Sequence, residues 1–270
     1  MDWVDAAARL SGAIYAPLRP AIAQLSSDRW PDHHDLTLLA AEVRNSRGVP
    51  IRFVPLRDPA RHDRVHYEAH IAATGEVETR PENWHDLFNA LAWVTFPCAK
   101  AAINAQHAAI MEAGGESELR HRSPARDALT LFDEGGVIVA SSSPEMHRLI
   151  VDFRWKELFW ERRAELKATT HFLAFGHACY EQSLAPYLGM VAKTVLVAVD
   201  GDFLSAPPER QTALADARVA GHLANRANFR SPKSLPPMPV LGVPDWHGAN
   251  AQASFYDDAK HFRSKGLRPK

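Results

Sequence analysis

The densest run of chemically capable side chains is Thr79-Arg80-Pro81-Glu82-Asn83-Trp84-His85-Asp86-Leu87-Phe88-Asn89. On a helix, His85 and Asn89 share a face one turn apart with Asp86 beside them, while Leu87, Ala90, Leu91 and Val94 can face a core. The next stretch repeats the device, because Lys100, Asn104 and His107 again recur at helical spacing on one face. Phe96-Pro97 stands between the two stretches as a corner, and two antiparallel helices meeting there would let both polar faces converge. Imidazole, carboxylate and ammonium groups assembled in that way can hold a metal ion, move a proton or bind an anionic oxygen. The structural alternative has His85 near a helix end, Asp86 offsetting the helix dipole, and Lys100 and His107 in solvent.

A second group lies in Phe175-Gly176-His177-Ala178-Cys179-Tyr180-Glu181, where His177 and Glu181 stand one turn apart. At that spacing an imidazole and a carboxylate can share one ion or form a hydrogen-bonded pair, although the same spacing is also an ordinary surface contact. Gly176 directly before His177 favours the close approach of another backbone. A third group is Arg122-Ser123-Pro124-Ala125-Arg126-Asp127. Its arginines suit bidentate contacts to carboxylate or phosphate, and Asp127 or Asp133 could add a hard metal ligand. Asp133, however, falls where a turn residue belongs. Lys193 interrupts an apolar strand and must face solvent or meet a phosphate or carboxylate. His33, His34, His247 and His261 lack a partner at useful spacing and read as surface histidines, and His66 and His70 lie near the first expected strand.

The elements that must position these residues follow from hydrophobic period and turn chemistry. Pro17 and Pro20 divide Asp5 to Leu25 into two short helices, Leu36 to Val43 predicts another, and Ile51 to Val54 a strand. Tyr67–Ile71 and Glu76–Thr79 predict a hairpin around Gly75. Leu129–Phe132 and Val137–Ala140 predict another around Asp133-Glu134-Gly135-Gly136. Asn83 is a suitable N-cap for a helix to Val94, followed by a helix from about Cys98 to Ala113. Helices are expected after Pro144, over Phe172–Tyr187 and over Pro208–Leu223, with a strand over Val191–Val199. Pro232, Pro236, Pro237, Pro239 and Pro244 enforce an extended path near the C-terminus. The expected fold is therefore a helix-rich α+β domain over residues 1–228 with short β-hairpins, and an extended proline-rich tail over 229–270 packed on it.

Composition narrows the function classes. The 270 residues are 46% hydrophobic and 23% charged, an ordinary globular mixture. A formal charge of -1 provides no global field for nucleic acid or anionic lipid, so nucleic acid is possible as a partner but not favoured. Cys98 and Cys179 stand alone, which excludes a disulfide framework and fits a reducing cytoplasm. The N-terminus has no basic and apolar leader pattern, and no apolar run is long enough for a membrane span. Phosphate-loop, dinucleotide, serine-elbow and H-E-x-x-H motifs are all absent.

The wording Asn83-Trp84-His85-Asp86-Leu87-Phe88-Asn89-Ala90-Leu91, Phe96-Pro97, Asn104, Arg126 to Glu134 and Phe175-Gly176-His177-Ala178 resembles a bacterial family known as domain of unknown function 3025. The resemblance extends over most of the chain, including Leu241-Gly242-Val243-Pro244 and Phe255-Tyr256-Asp257-Asp258. It implies a single full-length domain and carries no activity with it.

The residues themselves point to a cytoplasmic hydrolase that uses a divalent metal ion and acts on a small-molecule or phosphorylated substrate. His85, His107, His177 and Glu181 are the expected metal ligands. Asp86, Lys100, Arg126 and Lys193 are the expected catalytic and anion-binding groups, and Asn89, Asn104 and Asp127 give polar support. Two alternatives stand beside this reading. One is a non-catalytic binding or scaffold protein, and the other a histidine-asparagine nuclease built on a strand-strand-helix metal finger.

Overall fold

The computed structural model describes Trp3 and residues 9–56 and 67–265. Its centre is the apolar run Val137-Ile138-Val139-Ala140 in strand Gly136–Ser141, buried along its whole length. Side chains of a strand alternate between faces, and here the alternation feeds two separate cores. Val137 and Val139 join the cluster containing Leu91, Leu158 and Tyr180. Ile138 and Ala140 join the cluster containing Phe96, Phe132 and Val219. A strand covered on both faces needs continuous apolar sequence, and this run provides it.

Six strands are described: β1 Arg52–Pro55, β2 Glu76–Thr79, β3 Gly136–Ser141, β4 Thr170–Ala174, β5 Val191–Ala198 and β6 Pro237–Pro239. The main sheet has the order β4-β3-β5-β6, with β3 and β5 parallel and the two outer pairs antiparallel. β1 and β2 form a separate parallel pair. The helices that carry or brace the site are α1 Tyr67–Thr74, α2 Trp84–Thr95, α3 Pro97–Gly114, α4 Pro124–Gly135, α5 His177–Gln182 and α6 Pro208–Ala224. This is the α+β class expected. Among the described residues, no helix is long and apolar enough to cross a membrane.

Both expected hairpins are absent. Tyr67–Ile71 belongs to α1, because Ala69, Ala72 and Ala73 favour a helix and β2 finds a parallel partner in β1. Gly75 ends that helix in the left-handed region, at φ +72°. Leu129–Phe132 lies in α4, capped at its start by the Ser123 side chain, and the chain passes from Gly135 straight into β3. Phe172 opens no helix but sits in β4, where pairing with β3 overrides local propensity. The segment from Phe229 onward is not simply extended. It adds β6 to the sheet and makes several 3-10 turns, burying Met238, Leu241, Tyr256 and Phe262. His66 and residues 4–8 of the first expected helix lie outside the described residues.

The corner and the helices on either side of it form as the sequence suggests. Asn83 accepts a hydrogen bond from the Asp86 amide at 3.1 Å to start α2, and buried Phe96 ends it while Pro97 starts α3. The exposed amides of that start are taken by Asp216 of α6, which accepts from Cys98 and Ala99 at 2.9 and 2.7 Å. Gly176, between β4 and α5, makes the close approach expected of it. Its amide and that of Phe175 both donate to the Gly136 carbonyl. A methyl group on Gly176 would come within 2.3 Å of the Glu134 carbonyl oxygen.

Gly176→Ala is therefore expected to destabilise the fold by about 1–3 kcal/mol, the cost of overpacking against backbone that cannot yield. Gly201→Ala, with open space around it, is the matched control. Urea denaturation of both variants checks this, and equal midpoints for the two would contradict the close-approach account.

Candidate functional site

A cavity of about 300 Å³ opens between α1, α2, α3, α4 and the start of α5. Its floor is a buried ion pair. Lys100 of α3 donates to Asp133 Oδ1 at 2.6 Å and to Asn89 Oδ1 at 2.9 Å, with its ammonium 5.3 Å from the Trp93 ring centre. Asn89 in turn donates to the Tyr67 hydroxyl at 3.2 Å. Burial pushes the Asp133 carboxyl up, but Lys100, by charge and hydrogen bond, outweighs it and holds the group below its ordinary range. Burial likewise pushes the Tyr67 phenol up, so it stays protonated.

His85 and His177 meet above this floor. Their Nε2 atoms are 3.1 Å apart, with the rings edge to face at 83°. Glu181 Oε2 lies 2.9 Å from His85 Nδ1, and Asp133 Oδ2 lies 3.7 Å from His177 Nδ1. The expected His177–Glu181 pair is thus replaced: Glu181 reaches across to the other imidazole. Burial holds His177 well below the ordinary histidine range, at about 3, against the pull of Asp133. His177 is therefore neutral at pH 7.

Glu181 accepts a hydrogen bond from His85 Nδ1 and fixes its tautomer, whereas Asp133, too far for a hydrogen bond to His177 Nδ1, favours a proton there by charge alone. With both Nδ1 atoms protonated, two neutral rings would point lone pairs at one another across 3.1 Å. A single positive charge between them, whether a proton or a metal ion, removes that repulsion. Two nitrogens on one ion at about 2.0–2.1 Å stand roughly 2.9–3.4 Å apart for angles between 90° and tetrahedral, which brackets the observed separation.

The other expected site residues fall in different places. His107, 3% exposed, lines the same cavity, and its Nδ1 is buried without a hydrogen-bond partner. Asn104 stands one turn before it and gives its amide hydrogens to the Glu68 carbonyl and carboxylate at 2.8 and 2.7 Å. Arg126 lines the cavity while its Nη1 donates to the Glu118 carbonyl at 2.9 Å. Asp86 is held by Arg80, which donates to it from backbone and side chain. Asp127 is half-exposed and pairs only loosely with Arg122, at 3.9 Å. Lys193 is elsewhere: it donates to the carbonyls of Pro232 and Leu235, so backbone oxygens take the place of the phosphate, carboxylate or solvent expected around it.

Several lining residues were not singled out by spacing. Asp133, which the sequence offers both as a turn residue and as a hard metal ligand, is the carboxylate at the centre of the floor, because its segment continues as helix. Tyr67 and Glu68 were assigned to a strand, which hid the face of α1 that turns to the cavity. His261, read as a surface histidine, is 3% exposed. Carboxylates dominate the lining, with Glu68, Glu78, Asp86, Asp133 and Glu134 against Arg80, Arg122 and Arg126. Among the described residues, no group of three His, Cys, Asp or Glu side chains is arranged to hold a metal ion.

The family model that matches this chain is described as a protein of unknown function, DUF3025, and covers residues 51–266. No curated protein and no solved structure matches it.

The buried floor has a pH signature. His177 and Asp133 both have folded-state affinities for protons below their unfolded values, so each contributes stability that is complete above its unfolded pKa and lost as pH falls. The His177 contribution should decline from about pH 6.5 toward about 3, and that of Asp133 below about 3.8. Thermal melting in a pH series should show a falling midpoint from pH 7 to 4, flattened in His177→Gln. An identical slope in that variant would show that burial of a neutral imidazole is not its source.

Proposed function

The chain belongs to this family of proteins of unknown function, and from its own residues we propose that it is a metal-dependent hydrolase acting on a small phosphorylated molecule in this cavity. The observation that carries the reading is the pair of Nε2 atoms 3.1 Å apart, each ring backed by a carboxylate on its Nδ1 side. Carboxylates behind metal-bound imidazoles fix the tautomer and raise ligand basicity. His85 and His177 would hold a divalent ion, with Glu181 and Asp133 orienting them. Oxygens of water or substrate would fill the remaining positions. Glu181 thus moves from expected ligand to orienting group, and His107 to the substrate-facing wall.

A bound divalent ion would supply a Lewis acid and lower the pKa of a bound water. The chain's own groups do the rest. The acidic excess of the lining favours a cation before an anion can enter, and Arg126 offers an unpaired Nε–H to a phosphoryl oxygen. Lys100 does not bind substrate in this reading, since it does not line the cavity and Asp133 and Asn89 take two of its three hydrogens. Glu181, 41% exposed, is placed to pass a proton between His85 and solvent.

A second reading rests on the same distance, since 3.1 Å also suits one proton shared by the two imidazoles. That site would be an acid–base pair working without metal. The strand-strand-helix nuclease is not pursued, because its hairpin does not form.

Calorimetric titration of the chelator-treated protein with Mn²⁺, Zn²⁺ and Mg²⁺ tests the proposal, alongside hydrolysis of a panel of phosphoesters. Stoichiometric binding is expected, with at least about 100-fold loss of metal affinity and turnover in His85→Ala and His177→Ala. Turnover that survives complete metal removal would select the proton-sharing reading. Absence of both binding and turnover would leave a binding protein.

A further inference from the structure

Arg126 and His107 line the cavity, Asn104 stands one turn before His107 without lining it, and together they carry a cluster of unpaired buried polarity. Among the described residues, Arg126 Nε, His107 Nδ1 and Asn104 Oδ1 are buried with no hydrogen-bond partner. All three side chains are at most 3% exposed. Such atoms are rare in native proteins, and three within neighbouring turns of α3 and α4 point to a missing occupant.

Their donor and acceptor roles are set by the surroundings. Arg126 is already anchored through Nη1 on Glu118, so its Nε–H is a donor of fixed direction. Asn104 cannot be flipped, because both its amide contacts, to the Glu68 carbonyl and carboxylate, are to acceptors. Its Oδ1 is therefore a fixed acceptor. His107 is kept neutral, with burial pushing it down and the charges of Arg126 and Arg122 adding to this against Glu68 and Asp133. A neutral imidazole donates on one nitrogen and accepts on the other.

A bare anion satisfies only the donor side of this wall. We infer that the subsite takes a phosphate ester with a neighbouring hydroxyl group, a polyol or sugar phosphate. Its anionic oxygen accepts from Arg126 Nε, and its hydroxyl reaches Asn104 Oδ1 through His107, the imidazole accepting from the hydroxyl on one nitrogen and donating toward Asn104 from the other. This deepens the hydrolase reading by naming its substrate class and rests on that reading for the phosphoryl group. The wall also gives Arg126 a role: held by Glu118, the planar guanidinium keeps its Nε–H in one direction, where a lysine would present a mobile charge.

The test is binding without turnover. Isothermal titration of the full chain with inorganic phosphate, ethyl phosphate, aminoethyl phosphate and glycerol phosphate should rank glycerol phosphate at least about tenfold tighter than ethyl phosphate, the gain from satisfying one buried acceptor. Arg126→Lys, which keeps the charge and can still reach Glu118, should weaken every ester while melting near the parent temperature. Asn104→Ala should bring glycerol phosphate down to ethyl phosphate. Equal affinities for the two esters in the parent protein would overturn the hydroxyl assignment whatever the variants do, and so would preference for aminoethyl phosphate. Failure of all four to bind would overturn the subsite. Because no step is chemical, loss of the hydrolase reading alone would leave this ranking intact.

Discussion

The Lys100–Asp133 pair is the constraint around which the cavity is organised. Bringing an ammonium and a carboxylate out of water costs several kcal/mol per ion, and only close geometry with further hydrogen bonds offsets it. Both are present here. The 2.6 Å contact is supplemented by Asn89 and by the face of Trp93, so three helices must hold their mutual positions for the pair to persist. α2 supplies Asn89 and Trp93, α3 supplies Lys100, and α4 supplies Asp133. The second carboxylate oxygen of Asp133 then faces His177, so the pair that braces the helices also sets the charge beneath the imidazoles. Loss of either partner would leave an uncompensated buried charge, and the arrangement is consequently stiff where the proposed chemistry needs stiffness.

Position is supplied to this pair from two directions. From the sheet, β3 alternates its side chains into two cores, which holds α4 against one face, and the backbone contact of Gly136 with Gly176 holds α5 at the strand end where α4 enters. No side chain fits at Gly176, so the backbones touch and His177 stands beside Asp133 and not a side-chain width away. From the corner, Phe96-Pro97 turns α2 into α3, and Asp216 satisfies the amides there. That carboxyl is itself buried, and burial pushes it up although its hydrogen bonds act the other way. Packing and capping thus act together: without the cap, the start of α3 would carry unsatisfied donors into the core.

Much of the site was legible in spacing alone. His85 with Asn89, and Lys100 with Asn104 and His107, share helix faces because the helical period puts them there, and Asn83 and Phe96-Pro97 mark ends by local chemistry. Gly176 was readable for the same reason, since a glycine before a polar helix start signals backbone contact. What could not be read was determined by partners distant in sequence. Tyr67–Ile71 and Leu129–Phe132 have mixed propensities, and only the availability of β1 for β2, and of β5 for β3, decides that they are helical. Asp133 followed its segment: a glycine pair after an acidic dipeptide resembles a hairpin turn until the strand it would join is seen to pair elsewhere. Lys193 shows the reverse error. A lysine in an apolar strand needs a partner, and the carbonyls of Pro232 and Leu235 lie some forty residues away in sequence.

The charges of the cavity make its two proposed ligands depend on each other. An anion entering alone meets five carboxylates and three guanidiniums, one of them already committed to Asp86 and another to Glu118. A cation entering alone is favoured by that excess and by the facing Nε2 atoms, yet among the described residues no third protein ligand closes around it. Each ligand therefore supplies what the other lacks: the cation lowers the repulsion a phosphoryl group would feel, and the phosphoryl oxygens occupy positions the protein leaves unfilled. In linkage terms the two bind with positive coupling, because the free energy of each includes removal of a penalty left by the other's absence. A site built on this balance would hold each proposed partner more firmly once the other is bound, so the buried groups of α3 and α4 on the phosphate side would act on affinity for the cation through charge and without contact.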